Sequence, residues 1–340
     1  MNDTRYAGAG VDLARAESAK ERIAALIARG RTANARGALG AFGGMVRVPP
    51  GFSAPLLVLS TDGVGTKVLV ARDAGRLSTV GEDLVNHCVN DILVHGAAPL
   101  AFLDYLAGSA LTVLQIESIV EGVARGCRAH GMDLAGGETA QMPGIYRDGD
   151  FDLAGTIVGV VEEANALHGE RIVPGDVLVA YGSTGLHTNG YTLARRIVFE
   201  EQGLGLDGLL GDTGQTVAEA LLAVHRSYHQ SITPVLPRIH GMAHITGGGI
   251  AGNLIRVLSE GCEARIDARS WELPPLFRYL QEAGRIPVAE MRDVFNLGVG
   301  FLAAVPARDV AALEEAGTRS GVPTWVIGEI KAGERAVRFD

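Results

Sequence analysis

No stretch of the sequence approaches the ~18 apolar residues of a membrane span; the run Leu153–Val161 is far too short. The first residues, Met1-Asn2-Asp3-Thr4-Arg5-Tyr6, lack the apolar core of a secretory signal. Cysteine is scarce: Cys88, Cys127 and Cys262 are scattered, odd in number and outside any Cys-x-x-Cys pair. That excludes a disulfide framework and suits buried thiols in a reducing, cytoplasmic compartment. Positive charge is short as well. There are 30 Lys and Arg against 39 Asp and Glu, a net charge of −9. A nucleic-acid binder needs a basic footprint to displace counterions, so that class is excluded. An anionic small molecule is not excluded, because a nest of amides or a metal can reverse the local sign. Only 13 prolines occur and no Gly-X-Y period, which removes low-complexity and collagen-like chains. Several nucleotide and hydrolase signatures are missing too, among them the P-loop, His-Glu-x-x-His and Gly-x-Ser-x-Gly. Gly203-Leu204-Gly205-Leu206-Asp207-Gly208 matches a dinucleotide fingerprint by letter, but it follows a helical pattern instead of a strand.

Glycine is what the chain has in excess: 46 in 340 residues, about twice the usual ~7%. They serve tight turns or close backbone approach. With 47% hydrophobic and 20% charged residues, the chain can bury a core, and its length suits two domains. Helical patterns cover Ala14–Arg29, Val80–Val94, Leu114–His130, Tyr191–Glu200 and Ile250–Leu258. Strand-like runs are Leu56–Ser60, Pro99–Leu106, Phe151–Val161, Val177–Tyr181, Arg265–Asp267, Leu297–Val305 and Thr324–Ile330. Leu134–Thr139 reads as a short strand breaking into a loop. The polar stretch Glu162–Arg171 marks the expected boundary, giving domains 1–167 and 168–340. Strands and helices alternate without clean βαβ units, so two α+β or mixed α/β domains are expected over a single doubly wound sheet.

Thr61-Asp62-Gly63-Val64-Gly65-Thr66-Lys67 follows a buried strand. A carboxylate at a strand end can hold Mg²⁺, glycine amides can approach phosphate oxygens, and Lys67 adds a cation. A plain Asp-Gly hairpin turn with a surface lysine fits the same letters. Asp91 closes a helix in Val89-Asn90-Asp91, and Glu138 follows Gly136-Gly137. Together with Asp62 they would make a hard-cation site if the fold brings them together, which spacing does not decide. Gly182–Gly190 and Thr246-Gly247-Gly248-Gly249 each precede a helix. Each reads either as an anion cradle or as an ordinary helix cap with turn glycines.

Taken together these motifs resemble one family. Tyr6-Ala7-Gly8-Ala9-Gly10-Val11-Asp12, Gly40-Ala41-Phe42-Gly43-Gly44, the Thr61–Lys67 run, Cys88-Val89-Asn90-Asp91, Gly136–Gly144, Gly185-Leu186-His187-Thr188-Asn189-Gly190, Thr246–Gly249 and Phe295–Gly300 occur in the order seen in phosphoribosylformylglycinamidine cyclo-ligases, the aminoimidazole ribonucleotide (AIR) synthetases. The resemblance covers essentially the whole chain. It implies a PurM-like α+β N-terminal domain that dimerises through its sheet, an α/β C-terminal domain, and sites in clefts between domains and across the dimer. The implied reaction converts ATP and formylglycinamidine ribonucleotide (FGAM) to AIR, ADP and phosphate in purine biosynthesis.

Residue by residue, the resemblance makes Asp62, Asp91 and Glu138 the Mg²⁺ acids. Gly10, Val11, Asp12, Gly63, Gly65, Thr66, Lys67, Gly136, Gly137 and Thr139 become ATP and phosphate contacts. His187, Thr188, Asn189, Gly190, Thr246, Gly247, Gly248 and Gly249 become the ribonucleotide side. His187 is the implied proton-transfer group and Lys67 a catalytic phosphate contact. ATP and Mg²⁺ are implied, a monovalent cation is left open, and the expected partners are a small ribonucleotide and a second copy, with no nucleic acid or membrane. Thr188 stands where serine is usual, and Ala7-Gly8 and Ala16-Glu17 depart from the family pattern. The alternatives are another ATP-using relative, such as an FGAM synthase or selenophosphate synthetase, and a non-catalytic nucleotide-binding subunit.

Overall fold

A computed structural model describes residues 13–37 and 42–340. The chain forms two compact units. Unit 1 holds the described residues up to Ile92 and then Ala98–Glu162; unit 2 holds Leu93–Ala97 and Glu163–Asp340. The sequence expectation put the boundary after residue 167, whereas the units divide after Glu162. Local bonding explains the difference. Glu162 accepts from the amides of Ser53 and Ala54, which ties it to unit 1. His95 exchanges backbone and ring bonds with Leu167, which ties that short piece to unit 2.

Unit 1 opens with helix α1 (Leu13–Arg29) and the short pair β1 (Ala35–Arg36) and β2 (Met45–Val46). Its main sheet has four strands: β3 (Pro55–Gly63), β4 (Ala98–Gly108), β5 (Asp133–Gln141) and β6 (Phe151–Glu162). Their order across the sheet is β3-β6-β4-β5. Helices α2 (Lys67–Asp73), α3 (Leu77–Leu93) and α4 (Val113–Ala129) complete the unit. A reciprocal cap starts α4, with Thr112 accepting from the Gln115 amide and Gln115 accepting from Thr112. Gly131 stops it in a left-handed turn, φ 63°. On one face of the sheet, Phe102, Leu106, Leu153 and Ile157 are fully buried. On the other, Leu57, Leu59, Leu103 and Tyr105 stay exposed.

Unit 2 is built on six strands in the order β12-β9-β11-β7-β10-β8. They are β7 (Asp176–Gly182), β8 (Gly241–His244), β9 (Cys262–Ile266), β10 (Val299–Pro306), β11 (Thr324–Ala332) and β12 (Ala336–Phe339). Its helices are α5 (Tyr191–Arg195), α6 (Val217–Leu221), α7 (His229–Ile232), α8 (Gly249–Leu254), α9 (Pro275–Ala283), α10 (Val288–Val294) and α11 (Val310–Arg319). Alternation along the strands feeds two cores. Leu178 and Ala180 of β7 pack with Leu302 and Ala304 of β10. Val179 and Tyr181 pack with Phe301, Ala303 and Val305 on the other face. The expected helix Tyr191–Glu200 is α-helical only to Arg195 and continues as a π-turn segment to Glu201.

Candidate functional site

The acidic cluster in unit 1 is built on a buried imidazole. Asp62 lies near the end of β3, and its Oδ1 accepts from the Gly63 amide at 2.6 Å. Its Oδ2 is 2.7 Å from His87 Nε2. Asp91, one turn further along α3, brings Oδ2 to 3.7 Å from the same nitrogen and accepts from Ser60 Oγ at 3.0 Å. Burial alone would disfavour the Asp62 carboxylate, but the His87 bond and charge and the Gly63 amide outweigh it and hold its pKa below the usual range. Burial likewise pushes His87 down, and the bond it donates to Asp62 and the charges of Asp91, Asp62 and Asp83 more than reverse that. His87 was not among the residues picked from the sequence. Its i,i+4 spacing to Asp91 on one helix face was the available signal.

Glu138 does not join these two acids. The register runs Asp62–Gly155–Asp104–Gly137 across β3, β6, β4 and β5. Asp62 and the row beside Glu138 are therefore three strand spacings apart, about 14 Å. Glu138 pairs with Tyr105 in the next row, so it faces the opposite, open side of the sheet. The expected single three-acid cation site is thus not assembled within one chain. Asp62 and Asp91 remain a fitting pair of hard oxygen donors, partly accessible beside a fixed imidazole.

The Gly136-Gly137 pair is also not a loop. Both residues stay in the β5 ladder, opposite Leu103 and Asp104. Gly137 is needed there because a Cβ would come within 2.2 Å of Asp104 Oδ1. Thr139 continues the strand opposite Leu106. Lys67 departs further from expectation. It is fully buried and ion-paired with Asp83 at 2.8 Å, itself fully buried. A side chain held in that pair does not sit at an exposed phosphate contact. Gly65, φ 70°, and Thr66 make the turn into α2 just before it. The Gly10, Val11 and Asp12 arm lies outside the described residues. A cavity of about 850 Å³ in unit 1 is lined by Lys20, Ile23, Thr61, Leu103, Glu138 and Thr156, among others.

Unit 2 gathers the other expected residues. Strand β10 is antiparallel to both β7 and β8, so β7 and β8 end on the same side. The loop after β7 carries His187, Thr188, Asn189 and Gly190; the loop after β8 carries Thr246 to Gly249. Asn253 fastens the second loop, its amide donating to the carbonyls of Thr246, Gly247 and Gly249. Asn296 fastens the first, accepting from Ser183 Oγ and donating to Gly185 O. The loops meet where Asn189 Oδ1 lies 3.5 Å from the Cβ position of Gly247. Asn189 Nδ2 is buried with no hydrogen-bond partner in the described chain. Gly249 is required by packing, since a Cβ would fall 1.8 Å from Arg292 O; Gly248 holds φ 92°. His187 is buried, and its Nε2 accepts from the Thr184 amide at 3.2 Å. It stacks on His225, whose segment carries no sequence motif.

The family described as AIR synthase related protein, N-terminal domain, matches residues 46–161, and the AIR synthase related protein C-terminal domain matches residues 173–340. A phosphoribosylformylglycinamidine cyclo-ligase of Sorangium cellulosum (strain So ce56) is 46% identical over 329 residues, spanning 96% of this chain and 94% of the relative. The chain belongs to the phosphoribosylformylglycinamidine cyclo-ligase family. A second cyclo-ligase, of Thermosynechococcus vestitus (strain NIES-2133 / IAM M-273 / BP-1), is 44% identical over 331 residues and spans 96% of both chains. Solved structures carry the cyclo-ligase fold further afield. Thiamine-monophosphate kinase from Stenotrophomonas maltophilia K279a superposes with a TM-score of 0.66 at 18% identity, covering 95% of this chain and 96% of that one. The hydrogenase maturation protein HypE in complex with ATP gives 0.65 at 19% identity, covering 88% and 85%. At those identities they share the fold alone.

Proposed function

We propose that the protein converts FGAM and ATP to AIR, ADP and phosphate. The observation that carries this reading is its 46% identity to a cyclo-ligase over nearly the whole of both chains. The formyl oxygen of FGAM attacks the γ-phosphorus of ATP, the bond to the β-phosphate oxygen breaks, and ADP leaves. The resulting imidoyl phosphate has a good leaving group where a poor amide oxygen stood. The amidine nitrogen closes on the imidoyl carbon, phosphate departs and a proton is released.

Unit 1 takes the triphosphate in this reading. Asp62 and Asp91 hold Mg²⁺, which when bound neutralises phosphate charge. The amides of Gly65 and Thr66 lie along the adjoining turn, where they suit phosphate oxygens. Unit 2 takes the ribonucleotide through His187, Thr188, Asn189, Gly190 and the Thr246–Gly249 loop. The unpaired Asn189 amide suits a phosphate or ribose oxygen. His187, buried and engaged with the Thr184 amide, acts there by holding its loop, not as an exposed acid or base. Lys67 serves through Asp83, anchoring the start of α2 to α3.

A second copy covers the open face of the unit 1 sheet. Leu57 and Leu59 are 53% and 63% exposed, beside Leu103 and Tyr105, a contiguous apolar face that a homodimer removes from water. Glu138 faces the same side, so the copy seated there meets it. Cytoplasmic location belongs to the same proposal, supported by three buried free thiols. No helix among the described residues is long and apolar enough to cross a membrane.

Purified protein given ATP, Mg²⁺ and FGAM is expected to form AIR with one phosphate released per turnover. Absence of FGAM-dependent ADP release overturns the reading. Asp62→Asn is expected to lower turnover at least ~100-fold while circular dichroism stays unchanged. A fully active variant removes Asp62 from the metal assignment.

A further inference from the structure

Unit 2 brings three imidazoles together from distant stretches of sequence. One ligand nitrogen from each of His187, His225 and His244 lies within 4.8 Å of the others. Their exposures are 1%, 0% and 6%. His187 comes from the loop after β7, His225 from the segment between α6 and α7, and His244 ends β8. The fold accepts backbone strain to place the first of them: His187 holds φ 62°, which costs a residue with a Cβ about 1–2 kcal/mol.

The group holds no carboxylate. Mg²⁺ takes oxygen ligands, whereas imidazole nitrogen suits zinc, cobalt, nickel and copper. The rings of His187 and His225 stack at 4.0 Å between centroids, 23° from parallel. Two imidazolium ions so close repel by about 4 kcal/mol even at an effective dielectric constant of 20. Packing therefore favours uncharged rings, the form that binds metal. The Nε2 atoms of His225 and His244 are 3.1 Å apart. Two nitrogens on one tetrahedral zinc, each at 2.0–2.1 Å, stand roughly 3.3 Å apart. Thr188 Oγ1 lies 3.3 Å from His225 Nδ1. As acceptor of the Nδ1 proton it leaves the Nε2 lone pair toward His244, the outer hydrogen bond that metal-bound histidines use.

We propose that His187, His225 and His244 form a binding site for a divalent d-block cation of the Zn²⁺ or Co²⁺ type, through three imidazole nitrogens and a fourth position for water or an anionic oxygen. Ligation through His187 Nε2 exchanges the 3.2 Å bond from the Thr184 amide for a coordination bond. Because His187 belongs to the loop that carries Asn189, a bound cation also fixes that loop.

The test uses untagged full-length protein stripped of metal by chelation and titrated with Co²⁺. Visible absorption reports the ligand geometry, and elemental analysis after dialysis gives the stoichiometry. An Asp62→Asn background breaks the oxygen-donor pair. In that background we expect one Co²⁺ per chain with the intense bands of a four-coordinate nitrogen site. His225→Gln is expected to weaken binding at least 100-fold. Thr188→Val, which removes only the outer hydroxyl, is expected to weaken it about 10-fold. Far-UV circular dichroism confirms that each variant is folded, and if His225→Gln is not, Thr188→Val decides. The proposal is overturned if the folded background takes up no Co²⁺ at roughly 100 μM, or if neither substitution changes the affinity. Neither result bears on FGAM turnover, which is measured separately.

Discussion

The two sheets treat their faces in opposite ways. In β10 of unit 2, every residue from Val299 to Val305 is buried, and alternate side chains enter two separate cores. In β3 of unit 1, Leu57 and Leu59 are exposed, while the opposite face of the same sheet packs against helices. A sheet with cores on both sides gains its stability from its own chain. A sheet with one bare apolar face gains the rest only when another surface covers it, at about 25 cal/mol per Å² of apolar area removed from water. Under the proposed dimer, unit 1 is the part of the molecule that a partner completes and unit 2 the part that its own chain completes.

The largest expected effect breaks that dependence. Leu57→Glu with Leu59→Glu puts two charges on the open face, where burial against a second copy would leave them unpaired. The dimer dissociation constant is expected to rise at least ~1,000-fold, more than about 4 kcal/mol. Light scattering across a concentration series reads it. A double variant that stays dimeric at wild-type concentrations removes this face as the interface.

Next comes the matching change in the other sheet. Leu302 of β10 is fully buried among Leu178, Ala180 and Ile327. Leu302→Ala is expected to cost about 2–5 kcal/mol in urea unfolding, from lost burial plus the cavity left behind. That cost belongs to unit 2 alone and should not depend on protein concentration.

A third prediction contrasts the covered face of the unit 1 sheet with its open one. Asp104 lies on the covered face, and burial pushes its carboxyl up to about 7 from an ordinary 3.8. The folded state therefore holds this proton more tightly than the unfolded chain does. Stability falls as pH rises from about 4 to about 7 and stays lower above that. Asp104→Asn removes the penalty, so the variant is expected to gain up to about 3 kcal/mol relative to wild type between pH 5 and pH 8. Urea unfolding at both pH values measures it, and an equal difference at the two would show that Asp104 ionises normally.

Local signals made much of this architecture readable. The apolar runs that become β3, β4, β6, β7 and β11 stand out in the sequence, as do the long helices α3 and α4. Asp62 and Asp91 were legible because each sits beside a turn or helix end, and both touch His87. What was not legible is non-local. Strand order places β3 and β5 at opposite edges, and the two-residue period turns Glu138 to the other face. Neither fact is written near Glu138. Gly136-Gly137 reads as a turn because glycine usually marks one. The structure uses Gly137 to admit the Asp104 side chain, from a strand thirty residues earlier. Helix packing consumes glycines as well: a Cβ at Gly122 would meet Ser78 O at 2.0 Å, which lets α4 cross α3 closely. Lys67 reads as exposed because lysine usually is, and only its pairing with Asp83 explains its burial. His225 has meaning only beside His187 and His244.

The smallest expected effect is the sharpest check on the contrast between the sheets. Leu59→Ala removes as many atoms as Leu302→Ala. In dilute protein, with no second copy on the open face, Leu59 already meets water and leaves no cavity when shortened. The expected cost is within ~0.5 kcal/mol, several-fold below that of Leu302→Ala. At concentrations where the second copy is bound, the same substitution should lower the midpoint, because it then takes apolar area out of an interface. The concentration dependence is therefore the diagnostic quantity. A cost at high dilution equal to that of Leu302→Ala would mean that this chain itself covers Leu59, and the distinction between a self-sufficient sheet and a dependent one would fail.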